Sequence, residues 1–519
     1  MAPIIRICDG MRVRLRFFSE ILALAGLAGG LSFPASALRP SPGGLYLRAR
    51  AAVAAGDERT ANAGFAALMA EDPANPGIAA RAYRQAISAG DMALALRAAH
   101  QLDAQRVLPP DARILLVLEQ VKARDWAKAR DAVDRIAQDR VFGFLTPYLG
   151  AWIAFGSGSG DPIALAEGAH AIPMAEPYLA EQRELLLIAL GRKPEATKAP
   201  GSDVAKAMSV GLKDASHGIA PLLIHVATDF ARQQLTPVGM IVGRMAAYAA
   251  PDDAMGWIVL AELLHRMKRA DLALAALDHI APDAPIGSDA RVMRILLLNE
   301  SGRHDAALEA ALAAARTATA GADDWVRVAD LHLVLGKPAE AAVAYARAAQ
   351  LAEAAHASVD TLWPILLQQG GSLDLAGDWP AAKVALARAY ALAPDQPAVL
   401  NQFGYSSIAH REDVGRASLM IAKASKLRPD DPAITDSFGW ALYLQGKATE
   451  AVPLLERAAA GDPGQAEINE HLGDVYWTIG RQYEARYAWR AALITAEEKD
   501  RPRLTAKIDT GLSQATAAP

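Results

Sequence analysis

The chain has 519 residues, of which 52% are apolar and 6% aromatic, and a formal charge of -5. The apolar excess is alanine and leucine, the residues that cost least in a helix, and Val, Ile and Thr form no alternating runs, which argues against a strand-based fold. No run of Lys or Arg builds the basic stripe that nucleic acid requires, and the single cysteine, Cys8, leaves the body of the chain without a disulfide or a cysteine-based metal site.

At the N-terminus, Arg12, Arg14 and Arg16 precede Phe17 and Phe18, then an apolar stretch from Ile21 to Leu31. Ala35-Ser36-Ala37 follows, with small residues where a signal peptidase cuts. Residues 1–37 are therefore expected to be a cleaved export signal, with Met11 as a second candidate start. The apolar stretch is too short to cross about 30 Å of hydrocarbon, which argues against an uncleaved anchor. The chain is therefore expected to be exported.

From 38 to 142 small and large residues recur at fixed spacing. Ala49, Gly56, Ala61, Phe65 and Pro73 form one unit; Gly90 with Ala95, and Arg124 with Ala129, follow at about the same period. Residues 143–250 are degenerate: Gly191 with Ala196 reads as half a unit, and Ala247 before Pro251 as the end of another. Two breaks interrupt this region, residues 156–161 (Gly-Ser-Gly-Ser-Gly-Asp) and residues 197–216. They read either as a hinge between two arrays or as long surface loops. The glycine patch lacks a following Gly-Lys-Ser/Thr and follows helix-type sequence, so it is not read as a phosphate loop.

The pattern strengthens toward the C-terminus. Between 251 and 355 it is carried by Ala261, Ala273 and Leu277, by Gly302, Ala307 and Ala314, and by Ala329, Gly336, Ala341, Tyr345 and Ala348. Between 356 and 500, Gly370, Gly377, Ala382, Leu386, Ala389 and Pro394 form one unit. Gly404, Ala417, Ile421, Ala424 and Pro429 form the next, with one residue inserted around 411–413. Then come Gly439, Gly446, Ala451, Leu455, Ala458 and Pro463, followed by Gly473, Gly480, Ala485, Trp489 and Ala492. Gly439 and Gly473 are 34 residues apart. That period, with a small residue at position 8, Gly at 15, Ala at 20, a large residue at 24, Ala at 27 and Pro at 32, resembles the tetratricopeptide repeat (TPR).

Each position has a physical role. Small residues at 8 and 20 let the two helices of a repeat, A and B, approach closely. Gly at 15 ends helix A in a conformation costly to other residues. The large residue at 24 is expected to fill the gap between neighbouring repeats, and Pro at 32 stops helix B. The expected fold is an all-α superhelical solenoid of roughly 11–13 antiparallel helix pairs. Residues 501–519 carry an amphipathic segment, Leu504 to Leu512, expected to cap the open end.

No His-Glu-x-x-His and no Gly-x-Ser-x-Gly occurs, and the eleven histidines stand singly. His332 and His471, inside repeat helices, read as structural or solvent-facing. No catalytic residue, cofactor or metal site is assigned. The expectation is a protein that binds other proteins or peptides, not an enzyme, with neither nucleic acid nor a small-molecule substrate.

If positions 2, 5, 9, 12 and 13 of helix A line the concave face, the last three repeats place Asn401, Asp436 and Glu470 at position 5. Tyr405, Trp440 and Asp474 stand at position 9, and Ile408, Tyr443 and Trp477 at position 12. With Glu467, these make an acidic, aromatic groove suited to a basic or amide-rich segment. In the competing reading, Trp440 and Trp477 pack as core against the next helix A or the terminal cap.

The block from Asn401 to Leu493 also resembles a bacterial family of exported TPR proteins. It carries Leu400-Asn401-Gln402-Phe403-Gly404-Tyr405, then Asp436 to Trp440 (Asp-Ser-Phe-Gly-Trp), His471 to Trp477 and Gly480 to Arg486. The family includes an outer-membrane lipoprotein that serves as adaptor for a periplasmic carboxyl-terminal processing protease and gathers cell-wall hydrolases. The resemblance implies a scaffold or adaptor in the cell envelope, possible partners including such a protease; the alternative is a structural component of an export or assembly complex. Leu38, not cysteine, follows Ala37, so lipidation is not expected.

Overall fold

The computed structural model describes residues 41–192, 212–284 and 286–518. The expected export signal and most of the break at 197–216 lie outside the described residues. Among these there are 26 α-helices and no strand. Twenty-four of the helices form twelve consecutive antiparallel pairs; Glu176–Ala189 and Arg501–Thr510 stand in addition. The chain is an all-α solenoid of the TPR type.

The local reasons are written in each repeat. Aspartates end the turns and cap the helices that follow. Asp57, Asp91, Asp125 and Asp378 each accept a backbone N–H three residues on, and Asp431 accepts from both Ala433 and Ile434. Glycines at position 15, such as Gly446 (φ 78°) and Gly480 (φ 85°), take the left-handed conformation that releases helix A. Arg124 and Lys268 hold the equivalent place at φ 57° and 59° without glycine's freedom.

The glycine at position 8 faces the large residue at position 24 of its own repeat. A Cβ on Gly370 would lie 2.6 Å from Leu386, on Gly404 2.7 Å from Ile421, and on Gly439 2.8 Å from Leu455. Position 24 thus seals the crossing inside a repeat rather than the gap between repeats. Trp489, fully buried, lies over Gly473 in the same way.

The two halves close differently. Helices Ala215–Arg232 and Thr236–Ala249 turn back onto Pro76–Ala89 and Pro110–Ala123, and the first of them also onto Thr146–Ser157. One continuous core therefore runs from Ala49 to Leu297. Two cations clamp this closure at helix C-termini, where unpaired carbonyls gather. Arg244 Nη2 donates to the Ser88 carbonyl at 3.0 Å, and Lys122 Nζ donates to the Tyr248 carbonyl at 2.6 Å. Arg269 pairs with Glu58 across the same closure. From Ile295 onward the core is divided among smaller clusters. There, A helices approach one another across repeats, and Tyr405 reaches Glu467 two repeats away. The A helices line the inner curve and the B helices the outer one.

Candidate functional site

The last three repeats bring the predicted groove residues together but do not leave them open. Asp436, Trp440, Glu470 and Asp474 are buried, at 5%, 3%, 5% and 1% exposure. The expectation of an exposed acidic groove is corrected at these four residues. Consecutive A helices pack so closely that positions 5 and 9 face the following helix instead of solvent. Ile408 is buried as well. Asn401, Tyr405, Tyr443 and Trp477 are half-buried, and only Glu467 is exposed.

At the seam between the last two repeats, His471 fills the space beside Asp436 and Trp440. Its Nδ1 lies 2.9 and 3.1 Å from the two Asp436 oxygens, and its ring stacks on Trp440 with centroids 4.0 Å apart. Its Nε2 is buried without a partner among the described residues. Burial disfavours the charged imidazole, but Asp436, with Glu467 and Asp474, outweighs it and pushes the pKa up. Tyr405 Oη donates to Glu467 at 2.7 Å; burial and that carboxylate push the phenol's pKa up.

Beyond the last repeat, the helix Arg501–Thr510 takes the place of a next helix A. Lys507, fully buried, donates to Glu470 at 2.6 Å and to both Asp474 oxygens at 2.8 Å. Arg503 grips Glu470 in a two-pronged bond at 2.9 and 2.8 Å. Trp489 Nε1 and the Ala518 N–H also donate to Asp474, at 2.9 and 3.0 Å. The two acids respond in opposite directions. Burial raises both, but Arg503 and Lys507 together hold Glu470 below its ordinary range, whereas Asp474, with one cation, stays above it. Trp477 is held between Trp489 and Arg486, with Gly511 against its ring. The cluster closes the end of the solenoid, which is the core alternative weighed for Trp440 and Trp477. Lys507 and Arg503 were missed because an amphipathic segment's sequence does not say which acids its cations will meet.

The same A-helix positions are open in the central repeats. Val292 (36% exposed) and Leu296 (44%) stand at positions 5 and 9 of Gly287–Glu300. Val334 (50%) and Leu375 (74%) stand at position 13 of their repeats. Next to Val292 a cavity of about 730 Å³ opens between three repeats, lined also by Asp289, Asp323, Asp324, Arg327 and Thr361. Arg327 is taken by Asp324 at 2.9 Å, leaving Asp289 and Asp323 without an ion partner among the described residues. At positions 5 and 9 the signal in the sequence was Val292 and Leu296 where the later repeats put Asn, Asp, Glu, Tyr and Trp; position 13 carries none, since exposed Leu444 holds it in a later repeat too. Among the described residues, no group of three or more His, Asp or Glu could hold a metal ion, and no helix is long and apolar enough to cross a membrane.

No protein-family profile and no curated protein matches the chain. Solved structures of repeat proteins do align with it. The Cut9–Hcn1 hetero-tetramer of the APC/C is 15% identical over 91% of this chain and 97% of that one, with a TM-score of 0.39. Yeast Tom70 is 14% identical over 91% and 95%, with a TM-score of 0.37. A tetratricopeptide repeat protein from Parabacteroides merdae is 12% identical over 50% of this chain and 99% of that one, with a TM-score of 0.41.

Proposed function

We propose that the chain is an exported scaffold that gathers partner proteins in the cell envelope, acting by binding and not by catalysis. The observation that carries this reading is the exposed apolar row on the inner face of the central repeats, Val292, Leu296, Val334 and Leu375, beside a cavity of about 730 Å³. Packing within the solenoid leaves these side chains partly uncovered, and burying what remains exposed on a partner is favourable by roughly 0.5–2 kcal/mol each, the exposed fraction of the value for a whole side chain. The sequence resemblance to the exported TPR family supports an adaptor that presents clients to a processing protease or to cell-wall hydrolases. The unpaired Asp289 and Asp323 favour a partner segment with basic flanks.

The experiment is cross-linking from the inner face in the native host, with a photoreactive residue at position 334 or 375, followed by mass spectrometry. Envelope proteins, among them a processing protease or its clients, are the expected products. Cytoplasmic products alone would refute the envelope role; subunits of an export apparatus would replace the adaptor with a structural component.

A further inference from the structure

The outer face of the C-terminal repeats carries side chains that no described residue covers. Leu419 is 73% exposed on the B helix Val414–Leu427, and Pro453 is exposed on Ala448–Gly461. The last B helix, Gln482–Thr495, presents Tyr483 (72%), Tyr487 (54%) and Ile494 (78%). Leu419, Pro453 and Tyr487 each stand two residues after the buried alanine of position 20, and Val343 (70%) and Val384 (62%) hold that place upstream. One apolar residue per repeat therefore follows the outer curve through five repeats.

A residue four positions on lies on the same side of a helix. In four of the five repeats those residues are Arg347, Arg388, Lys423 and Arg457; in the last the place is Ala491, with Arg490 one position earlier. Arg388 and Lys423 are paired to Glu353 and Asp395 of the preceding repeats. Arg347, Arg457 and Arg490 have no carboxylate partner among the described residues, and Arg490 lies over the Tyr487 ring at 5.5 Å. The acids nearby are placed otherwise. Glu456 and Glu484 are engaged by Arg481, and Glu340 and Glu450 stand in the first turns of their helices. The acids in the C-terminal halves of these helices, Glu353 and Glu456, are held by Arg388 and Arg481, so the cations left without a carboxylate there are Arg347, Arg457 and Arg490, on a chain that is acidic as a whole.

We propose that this outer face docks on an anionic lipid surface. Single protruding side chains, one per repeat, suit a bilayer, which needs no matching shape; the cavity of about 730 Å³ opens elsewhere, against Val292. Aliphatic tips enter the acyl boundary, tyrosine rings rest at the headgroup level, and arginines meet the phosphates. Contact of this kind is reversible and weakened by salt.

The test is co-sedimentation of the full chain with phosphatidylcholine vesicles, with and without phosphatidylglycerol, at low and high salt. Two double variants are compared with it, Tyr483→Ser with Ile494→Ser, and Arg457→Glu with Arg490→Glu; all four positions are on the surface, and circular dichroism checks their folding. The expected result is binding to the anionic vesicles that falls roughly tenfold or more in the charge-reversed variant, clearly in the apolar one, and on addition of salt. Absent binding, equal binding to neutral vesicles, or binding that both variants retain would overturn the proposal. So would loss, in the charge-reversed variant, of an acidic protein partner while vesicles are ignored.

Discussion

The imidazole of His471 lies flat against the indole of Trp440, ring centroids 4.0 Å apart and planes at 11°, while its Nδ1 faces Asp436. This joins the last two repeats through a titratable group that is fully buried. Around it stand Asp436 from the preceding A helix, Glu467, Glu470 and Asp474 from its own, Tyr405 from two repeats before, and Lys507 and Arg503 from the terminal helix.

Because the folded pKa of His471 is raised above the unfolded value of about 6.5, folding favours the imidazolium. Its contribution is fully present below about pH 6.5 and is lost as pH rises through the folded value. Urea unfolding of the C-terminal repeats, followed by tryptophan fluorescence, should show wild type losing stability relative to His471→Gln as pH rises from mildly acidic to alkaline. Parallel pH dependences would contradict the assignment.

Lys507 makes a second prediction. Lys507→Met leaves Glu470 with Arg503 alone and Asp474 with no cation in the interior, a loss of about 3–5 kcal/mol for a broken buried pair. Acidification protonates the stranded acids, so the variant should recover part of that loss relative to wild type below about pH 5, where wild type gives up the favourable charge of Glu470 and gains only from the raised Asp474. A Lys507→Met protein as stable as wild type at neutral pH would show that the terminal helix does not lock the last repeat.

Gly473 supports Trp489 so closely that no Cβ fits between them. Gly473→Ala should destabilise the last repeat by about 1–3 kcal/mol through overpacking, as measured by denaturant unfolding. Gly464, whose nearest neighbour to a built Cβ is 3.9 Å away, serves as the tolerant control.

The repeat period and the small residues at positions 8 and 20 were legible in the sequence because close helix crossing demands them everywhere. What a given helix A position faces was not. Position 9 is Leu296, open, in one repeat and Trp440, buried, in another. The difference lies in how tightly the next helix A docks, and that depends on partners such as His471 and Lys507 brought from 31 to 37 residues beyond their contacts. The N-terminal closure was equally hidden, since nothing local marks Arg244 as the cation that caps a helix ending at Ala89.

Arg244 is buried with one carbonyl partner, and burial pushes its pKa down to about 10. Arg244→Met should loosen the contact between Thr236–Ala249 and Pro76–Ala89 by about 1.5–3 kcal/mol, the range for a hydrogen bond to a charged group. Hydrogen exchange should quicken in those two helices and leave residues 432–495 unchanged; uniform acceleration would mean that the halves unfold as one.

The central claim is that the inner face of the central repeats holds the partner. Val334 and Leu375 are exposed, so Val334→Glu with Leu375→Glu should leave helicity and melting unchanged. The decisive measurement is the affinity of wild type and this double variant for the partner identified by cross-linking, by titration calorimetry. The account predicts a weakening of at least about tenfold, as an apolar contact is replaced by buried charge. Equal affinity in the two proteins would contradict it.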